Sequence, residues 1–313
     1  MKEEVLHIAT NIDDNYLTYC AVMLTSLFVN NPNTTFSVHI LSQGLQPATI
    51  QSLEQCVRGF GNHHQLCFHT IDGAVIDRLP QYENGHISPA ANCRLFAAEL
   101  LPAHLTKVLY LDCDLLILDK VDALFQLDLK DYAVAAVEDM WSGKNDNYER
   151  LGYDSQYTYF NSGVMMINLE WWRQHQIEQS VSAFLSTPRN LKYIDQDILN
   201  AVLHRHWLQL PLVWNVQDGF LRKKTRIRES KLNEMLHAAK KPSIVHYTGG
   251  KKPWHSRCLN PYRHLFFQYL DQTQWKGWRP ELSLGDRFHL FLGNILTALW
   301  LKPRKYRNDL RVF

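Results

Sequence analysis

Two carboxylates one residue apart close an apolar run at Val108-Leu109-Tyr110-Leu111-Asp112-Cys113-Asp114. Hard divalent cations take oxygen ligands, and two neighbouring carboxylates leave coordination positions for the phosphate oxygens of a substrate. A cation so held neutralises charge that develops on a departing diphosphate. A second set lies far downstream, at Ile244-Val245-His246-Tyr247-Thr248-Gly249-Gly250-Lys251-Lys252-Pro253-Trp254-His255. His246 closes a short strand, the paired glycines let the backbone approach a ligand, and Lys252 offers a mobile cation. These residue types suit a metal ligand followed by a diphosphate-binding loop.

Each set also has a plainer reading. Asp is frequent where a strand ends in a turn, and Gly249-Gly250 is equally a turn between solvated lysines. A phosphohydrolase with an Asp nucleophile also places Asp-x-Asp after an apolar strand. Its pattern carries Thr or Val two residues past the second Asp, where Leu116 stands here. Two further runs complete the inventory. Tyr193-Ile194-Asp195-Gln196-Asp197-Ile198-Leu199-Asn200 reads as a helix start, with Asp195 as N-cap and Ile198, Leu199 and Val202 on the apolar face. That leaves Gln196 and Asp197 without a role. Tyr159-Phe160-Asn161-Ser162-Gly163-Val164 reads as a polar turn leading into a buried strand.

The elements that must position these residues follow from hydrophobic periodicity. Strand-like runs at 6–10, 36–41, 66–71 and 108–111 alternate with helix-like runs at 16–29, 47–57 and 90–100. Such alternation gives βαβ units and a mostly parallel sheet, whose ligands bind outside the carboxyl ends of the strands. Strands at 133–137, 163–167 and 243–246 and helices at 177–185 and 197–204 continue the pattern. With 313 residues, 46% of them hydrophobic and 20% charged, the chain is long enough for one large α/β domain and too apolar to be disordered. Lys and Arg number 33 against 31 acidic residues, so net charge selects no partner. The start, Met1 to Thr10, shows no secretory leader, and the six cysteines show no CxxC spacing. Reduced thiols and a cytoplasmic location are the expectation.

Taken together and in order, these runs resemble family 8 of the retaining glycosyltransferases, which includes bacterial lipopolysaccharide galactosyl- and glucosyltransferases and the glycogenins. The likeness starts at Asp13-Asp14-Asn15-Tyr16, continues through His86-Ile87-Ser88 and Arg94, and takes in all four runs above, spanning roughly residues 5–258. It implies a GT-A-type nucleotide-sugar-binding fold over residues 1–258 and a UDP-hexose donor. It also implies Mn2+, or Mg2+, held by Asp112, Asp114 and His246. Asp13 and Asn15 would contact the uridine, Gly249 and Lys252 the diphosphate, and Asn11 would also bind substrate. Ile87, Arg94, Asp139, Asn161, Ser162, Asp195 and Gln196 would line the donor site, with Gln196, Asp195 and Asp139 nearest the chemistry. Since the residue matching Gln196 is an amide, a poor nucleophile, the resemblance favours attack from the face the diphosphate leaves over a covalent intermediate.

Residues 259–313 form an aromatic and basic, helical appendage. Phe288 to Leu301 contains no charged residue, and Lys302, Arg304, Lys305, Arg307 and Arg311 follow. At about 14 residues the apolar run is too short to span a bilayer. An apolar helix beside a cationic tail suits an anionic membrane surface, as against a helix packed on the catalytic domain. No nucleic-acid recognition fold accompanies the charges. The expected acceptor is a lipid-linked oligosaccharide, the lipopolysaccharide or lipooligosaccharide core, met at the inner face of the cytoplasmic membrane. A protein or wall-polymer acceptor, or a noncatalytic sugar-nucleotide scaffold, are the alternatives.

Overall fold

The first strand, β1 (Val5–Asn11), lies between β2 (Thr35–Ser42) and β4 (Lys107–Leu111) and is parallel to both. The computed structural model describes residues 5–310 apart from 62, 73–88, 145, 188–189, 300, 302 and 308. A parallel strand covered on both faces reads as a continuous apolar run, and Val108 to Leu111 of β4 are buried throughout. Their side chains alternate between two cores. Leu109 and Leu111 pack with Ile8 and with Leu24 and Leu27 of the Leu17–Asn30 helix. Val108 and Tyr110 pack on the other face with Trp172 and with Ile198 and Leu199 of the Ile194–Leu203 helix.

With β3 (Gln65–Thr70), β6 (Val134–Glu138), β7 (Phe160–Asn168) and β8 (Trp207–Gln209), these strands form a seven-stranded sheet in the order β3-β2-β1-β4-β7-β6-β8. β7 runs antiparallel to β4 and β6, and the remaining pairs are parallel. This is the mostly parallel α/β architecture anticipated. Beyond β4 the chain turns through Asp112–Asp114 into β5 (Leu115–Ile117), part of a second, three-stranded sheet with β9 (Val216–Gln217) and β10 (Ile244–His246). β5 pairs antiparallel with β10, setting His246 opposite Leu115, the residue after Asp114. The two sequence-distant chemical runs are thus joined by strand register.

Three local expectations fail, each for a physical reason. Residues 90–100 are not one α-helix: a 3-10 helix, Pro89–Phe96, is followed by a single α-turn, Ala97–Leu100. Asn92 through Ala98 are buried without interruption, whereas an amphipathic α-helix on a sheet keeps a polar stripe in solvent. Asn161 and Ser162 belong to no turn but to β7 itself, because neighbouring polar side chains satisfy them inside the sheet. The β6–β7 pairing slips between Ala136 and Val137, beside these residues, an irregularity that re-aims side chains. Nor is Asp195 an N-cap. The helix starts at Ile194 behind Tyr193, and Asp197 reaches back to accept from the N–H groups of Lys192 at 2.7 Å and Tyr193 at 2.9 Å.

After residue 258 the chain is of two kinds. The Arg263–Leu270 helix packs on the Leu17–Asn30 helix and buries Phe266 and Leu270. The Leu284–Ala298 helix, which covers most of the apolar run expected at 288–301, leaves Leu284, Phe288, Phe291, Leu292 and Ile295 exposed along one side, continued by Leu299. Among the described residues no helix is long and apolar enough to cross a membrane. The tail then returns to the body through a bridge between Tyr306 and Arg222, with the Tyr306 hydroxyl donating to Asp218 Oδ1. Trp300, Lys302 and Arg311 lie outside the described residues.

Candidate active site

Asp112 and Asp114 leave the carboxyl end of β4, and the β5–β10 register delivers His246 to them. His246 Nε2 stands 3.2 Å from Asp114 Oδ1 and 3.8 Å from Asp112 Oδ2. One ligand atom from each of the three residues lies within 4.8 Å of the others. The opposite wall is Gly163, whose carbonyl accepts from Asp112 N–H at 2.9 Å. A Cβ on residue 163 would stand 2.7 Å from Asp112 Oδ2 and closer still to His246 Cε1. Glycine is therefore what keeps the space between these ligands open.

The charges around this space do not balance. Lys252 pairs with Asp114 and also donates to Tyr247 O at 2.9 Å. Arg94, buried over the Tyr110 ring, bridges Asp112 Oδ1 at 2.8 Å and Asp195 Oδ2 at 3.1 Å. With Asp139, four buried or half-buried carboxylates face two cations among the described residues. Burial pushes the Asp112 carboxyl up, with Asp114 adding to the effect and Arg94 opposing it. Burial also raises Asp114, but Lys252 and His246 outweigh it and hold that group below the usual carboxylate range. Two carboxylates and an imidazole around a glycine-floored gap with surplus negative charge are a donor set and a field that fit a divalent cation.

Next to this gap lies a buried polar cluster built by β6, β7 and the start of the Ile194–Leu203 helix. Asn161 Nδ2 donates to Asp139 Oδ2 at 3.1 Å and to Gln196 Oε1 at 3.0 Å. Gln196 Nε2 donates to Asp139 Oδ2 at 3.2 Å, and Ser162 Oγ to Asp195 Oδ2 at 3.2 Å. Arg94 closes the circuit by donating to Ser162 O at 2.9 Å. Burial raises the Asp139 carboxyl although Asn161, the Trp141 N–H and Gln196 all stabilise its charge. Its neighbour Glu138 faces elsewhere, held by Arg228 in a bidentate pair at 2.6 and 2.7 Å and by Ser142.

The fold therefore gathers Asp112, Asp114, His246, Lys252, Arg94, Asp139, Asn161, Ser162, Asp195 and Gln196 into one bonded network. Asn11, Asp13 and Asn15 follow the adjacent β1, whose carboxyl end shares that edge of the sheet. Asp13 Oδ1 accepts from Asn15 N–H at 2.9 Å, shaping a one-turn 3-10 helix, and the buried Asn11 Oδ1 has no hydrogen-bond partner among the described residues. Gly249 sits in the exposed loop after β10 at φ +87°, a left-handed conformation that glycine adopts without strain. Ile87 lies outside the described residues. Sequence reasoning missed Gly163 as the floor, Asp197 as the helix anchor and Asn215, whose side chain meets both His246 and Asn161. Nothing in Leu212-Val213-Trp214-Asn215 marks that asparagine as polar machinery. Gly163 and Asp197 stood inside motifs, but their partners are remote in sequence.

Comparison with known proteins bears on this geometry. The model of the family described as Glycosyl transferase family 8 matches residues 7–258. General stress protein A of Bacillus subtilis is 32% identical over 283 residues, which is 88% of this chain and 96% of that protein. A lipopolysaccharide 1,2-glucosyltransferase of Escherichia coli is 31% identical, over 81% of this chain and 74% of its own. A solved structure of the galactosyltransferase LgtC, in complex with donor and acceptor sugar analogs, superposes with a TM-score of 0.78 at 26% identity, covering 90% of this chain and 99% of that one.

Proposed function

The chain belongs to glycosyl transferase family 8 and has a GT-A-type fold, and from that premise we propose that it moves glucose or galactose from a UDP-sugar to a lipopolysaccharide or lipooligosaccharide core, retaining the anomeric configuration. The observation that carries this reading is the convergence of Asp112, Asp114 and His246 beside the buried Asp139–Asn161–Gln196 pocket. A metal-ligand set joined to a cluster of carboxylates and amides is what cleavage of a sugar–diphosphate bond needs. The relative named as a lipopolysaccharide 1,2-glucosyltransferase supports the acceptor class.

Asp112, Asp114 and His246 would hold Mn2+, or Mg2+, whose chemistry is to neutralise the diphosphate leaving group. Lys252 is hinged on a glycine loop and would exchange Asp114 for a phosphate oxygen. Arg94, pinned by two carboxylates, would line the donor site and hold its carboxylates in place, and Asn11 Oδ1 would accept from the uracil. Asp139 is tied to two amides and Asp195 to Arg94 and Ser162, so each carboxylate is restrained as a hydrogen-bonding group. This favours acceptor attack from the face that the diphosphate leaves, with a phosphate oxygen taking the acceptor's proton.

The exposed apolar side of the Leu284–Ala298 helix and the basic residues Arg304, Lys305 and Arg307 support peripheral attachment to an anionic membrane, the inner face of the cytoplasmic membrane. The body of the protein, joined by the Arg263–Leu270 helix, would then work at the lipid surface where such an acceptor resides. The test is UDP release from UDP-glucose and from UDP-galactose, with and without Mn2+. Metal-dependent release from one donor names the sugar. Equal release with and without metal removes the cation from the mechanism.

A further inference from the structure

A histidine can take a cation only on an unprotonated ring nitrogen, and the bond made by its other nitrogen decides which one that is. Nε2 of His246 faces the two carboxylates, whereas Nδ1 lies 2.9 Å from Asn215 Oδ1. The orientation of that amide can be traced back to a backbone N–H. Gly163 N–H donates to Asn161 Oδ1 at 3.1 Å, and a backbone N–H can only donate. Asn161 therefore points its oxygen toward Gly163 and its Nδ2 toward Asp139 and Gln196. Asn215 meets the same Asn161 oxygen at 2.8 Å, so the facing atom is its Nδ2, and its Oδ1 is left turned toward His246. An amide oxygen only accepts, so Nδ1 carries the hydrogen of the neutral ring and Nε2 is the nitrogen whose lone pair faces the cation site. Asn215 is 0% exposed, which leaves no water to make the bond in its place.

We propose that Asn215 is a positioning residue, which sets His246 in its cation-binding tautomer and couples it through Asn161 to the Asp139–Gln196 pocket. The inference rests on the reading that Asp112, Asp114 and His246 hold a divalent cation. Its consequence is that cation site and sugar pocket are not independent: one amide holds both at fixed spacing.

Two measurements test this, and the outcomes that overturn it do not rely on turnover. Mn2+ binding in the presence of UDP, followed by the electron paramagnetic resonance of free Mn2+, is expected to weaken roughly 10- to 100-fold in Asn215→Leu, the range for an outer partner of a metal-bound histidine. Asn215→Asp keeps an acceptor for Nδ1 but loses the donor for Asn161. It is expected to hold Mn2+ within a fewfold of the wild type while kcat with the UDP-sugar falls. Wild-type Mn2+ affinity in a folded Asn215→Leu overturns the proposal. The 15N spectrum of histidine-labelled, metal-free wild type is expected to show His246 Nδ1 protonated above neutral pH; a bare Nδ1 overturns the proposal without any variant. If the wild type itself binds no Mn2+, the metal reading fails instead, and the 15N result alone decides the role of Asn215.

Discussion

At the scale of single residues, the site is a set of side chains that bond to one another. Arg94 is its hinge, since it holds one carboxylate of the metal gap and one of the sugar pocket. Removing it strands two carboxylates against a buried wall, and breaking such pairs costs about 3–5 kcal/mol. Arg94→Met is expected to lower stability by that order in urea unfolding, along with activity. Gly163 acts by being absent: Gly163→Ala places a methyl group against Asp112 and His246. The fold should survive, because the atoms the methyl group meets belong to side chains and not to backbone, while Mn2+ affinity drops on the order of a hundredfold. A titration of Mn2+ in the presence of UDP checks it, and unchanged affinity would move the metal away from these residues. Asp114→Ala is expected to reduce transfer on the order of a hundredfold or more, read as UDP release at saturating donor.

At the scale of elements, two devices hold the site's frame. The first is Asp197, fully buried, which accepts from Arg150 Nη2 at 2.9 Å, from the Tyr159 hydroxyl at 2.7 Å and from two N–H groups ahead of the Ile194–Leu203 helix. It fixes where that helix begins, and hence where Asp195 and Gln196 point. Asp197→Ala leaves Arg150 buried without its partner, so a loss of about 3–5 kcal/mol is expected in chemical denaturation, with activity falling through misplaced Gln196. The second device joins the three parallel strands β1, β2 and β3. His39 contacts His7 at 3.0 Å and His69 at 2.9 Å, nitrogen to nitrogen. Burial, then His69, His7 and His104, lower the His39 pKa from 6.5 to about 4. The unfolded chain therefore binds the proton first as pH falls. The stability this neutral histidine supports is complete above about 6.5 and is lost as pH drops through about 4. The thermal midpoint is expected to fall across that window, and His39→Gln should flatten that part of the profile.

At the scale of the whole molecule, the Leu284–Ala298 helix is tied to the body at its first turn, where Asp286 accepts from Ser256 and Arg257. Its outward side carries Phe288, 66% exposed, and Phe291, 63% exposed, which no described residue covers. Phe288→Glu with Phe291→Glu is expected to release the protein from vesicles containing anionic lipid without shifting its thermal midpoint. Retention on the vesicles by the double variant would remove that side from membrane attachment. A truncation ahead of this helix is a poorer probe, because it also takes away Tyr306 and its bond to Asp218, which accepts on the same carboxylate from Asn260.

The sequence by itself determined the strands and helices whose burial is periodic or continuous: β1 to β4, the Leu17–Asn30 and Pro47–Arg58 helices, and the Ile177–Leu185 helix to the residue. It also determined which runs carry chemistry, since Asp112-Cys113-Asp114, Asp195-Gln196 and His246 through Lys252 are dense in ligand-type side chains at strand and helix ends. The tertiary structure alone decided their partnership. His246 reaches Asp114 because β5 and β10 pair in one particular register, and register is a property of two strands that neither states alone. It likewise decided the 3-10 winding at Pro89–Phe96, the placement of Asn161 and Ser162 inside a strand, and the roles of Asp197 and Asn215. Those outcomes depend on which polar groups meet once water is excluded, and in a buried network a side chain's function is set by the group across from it.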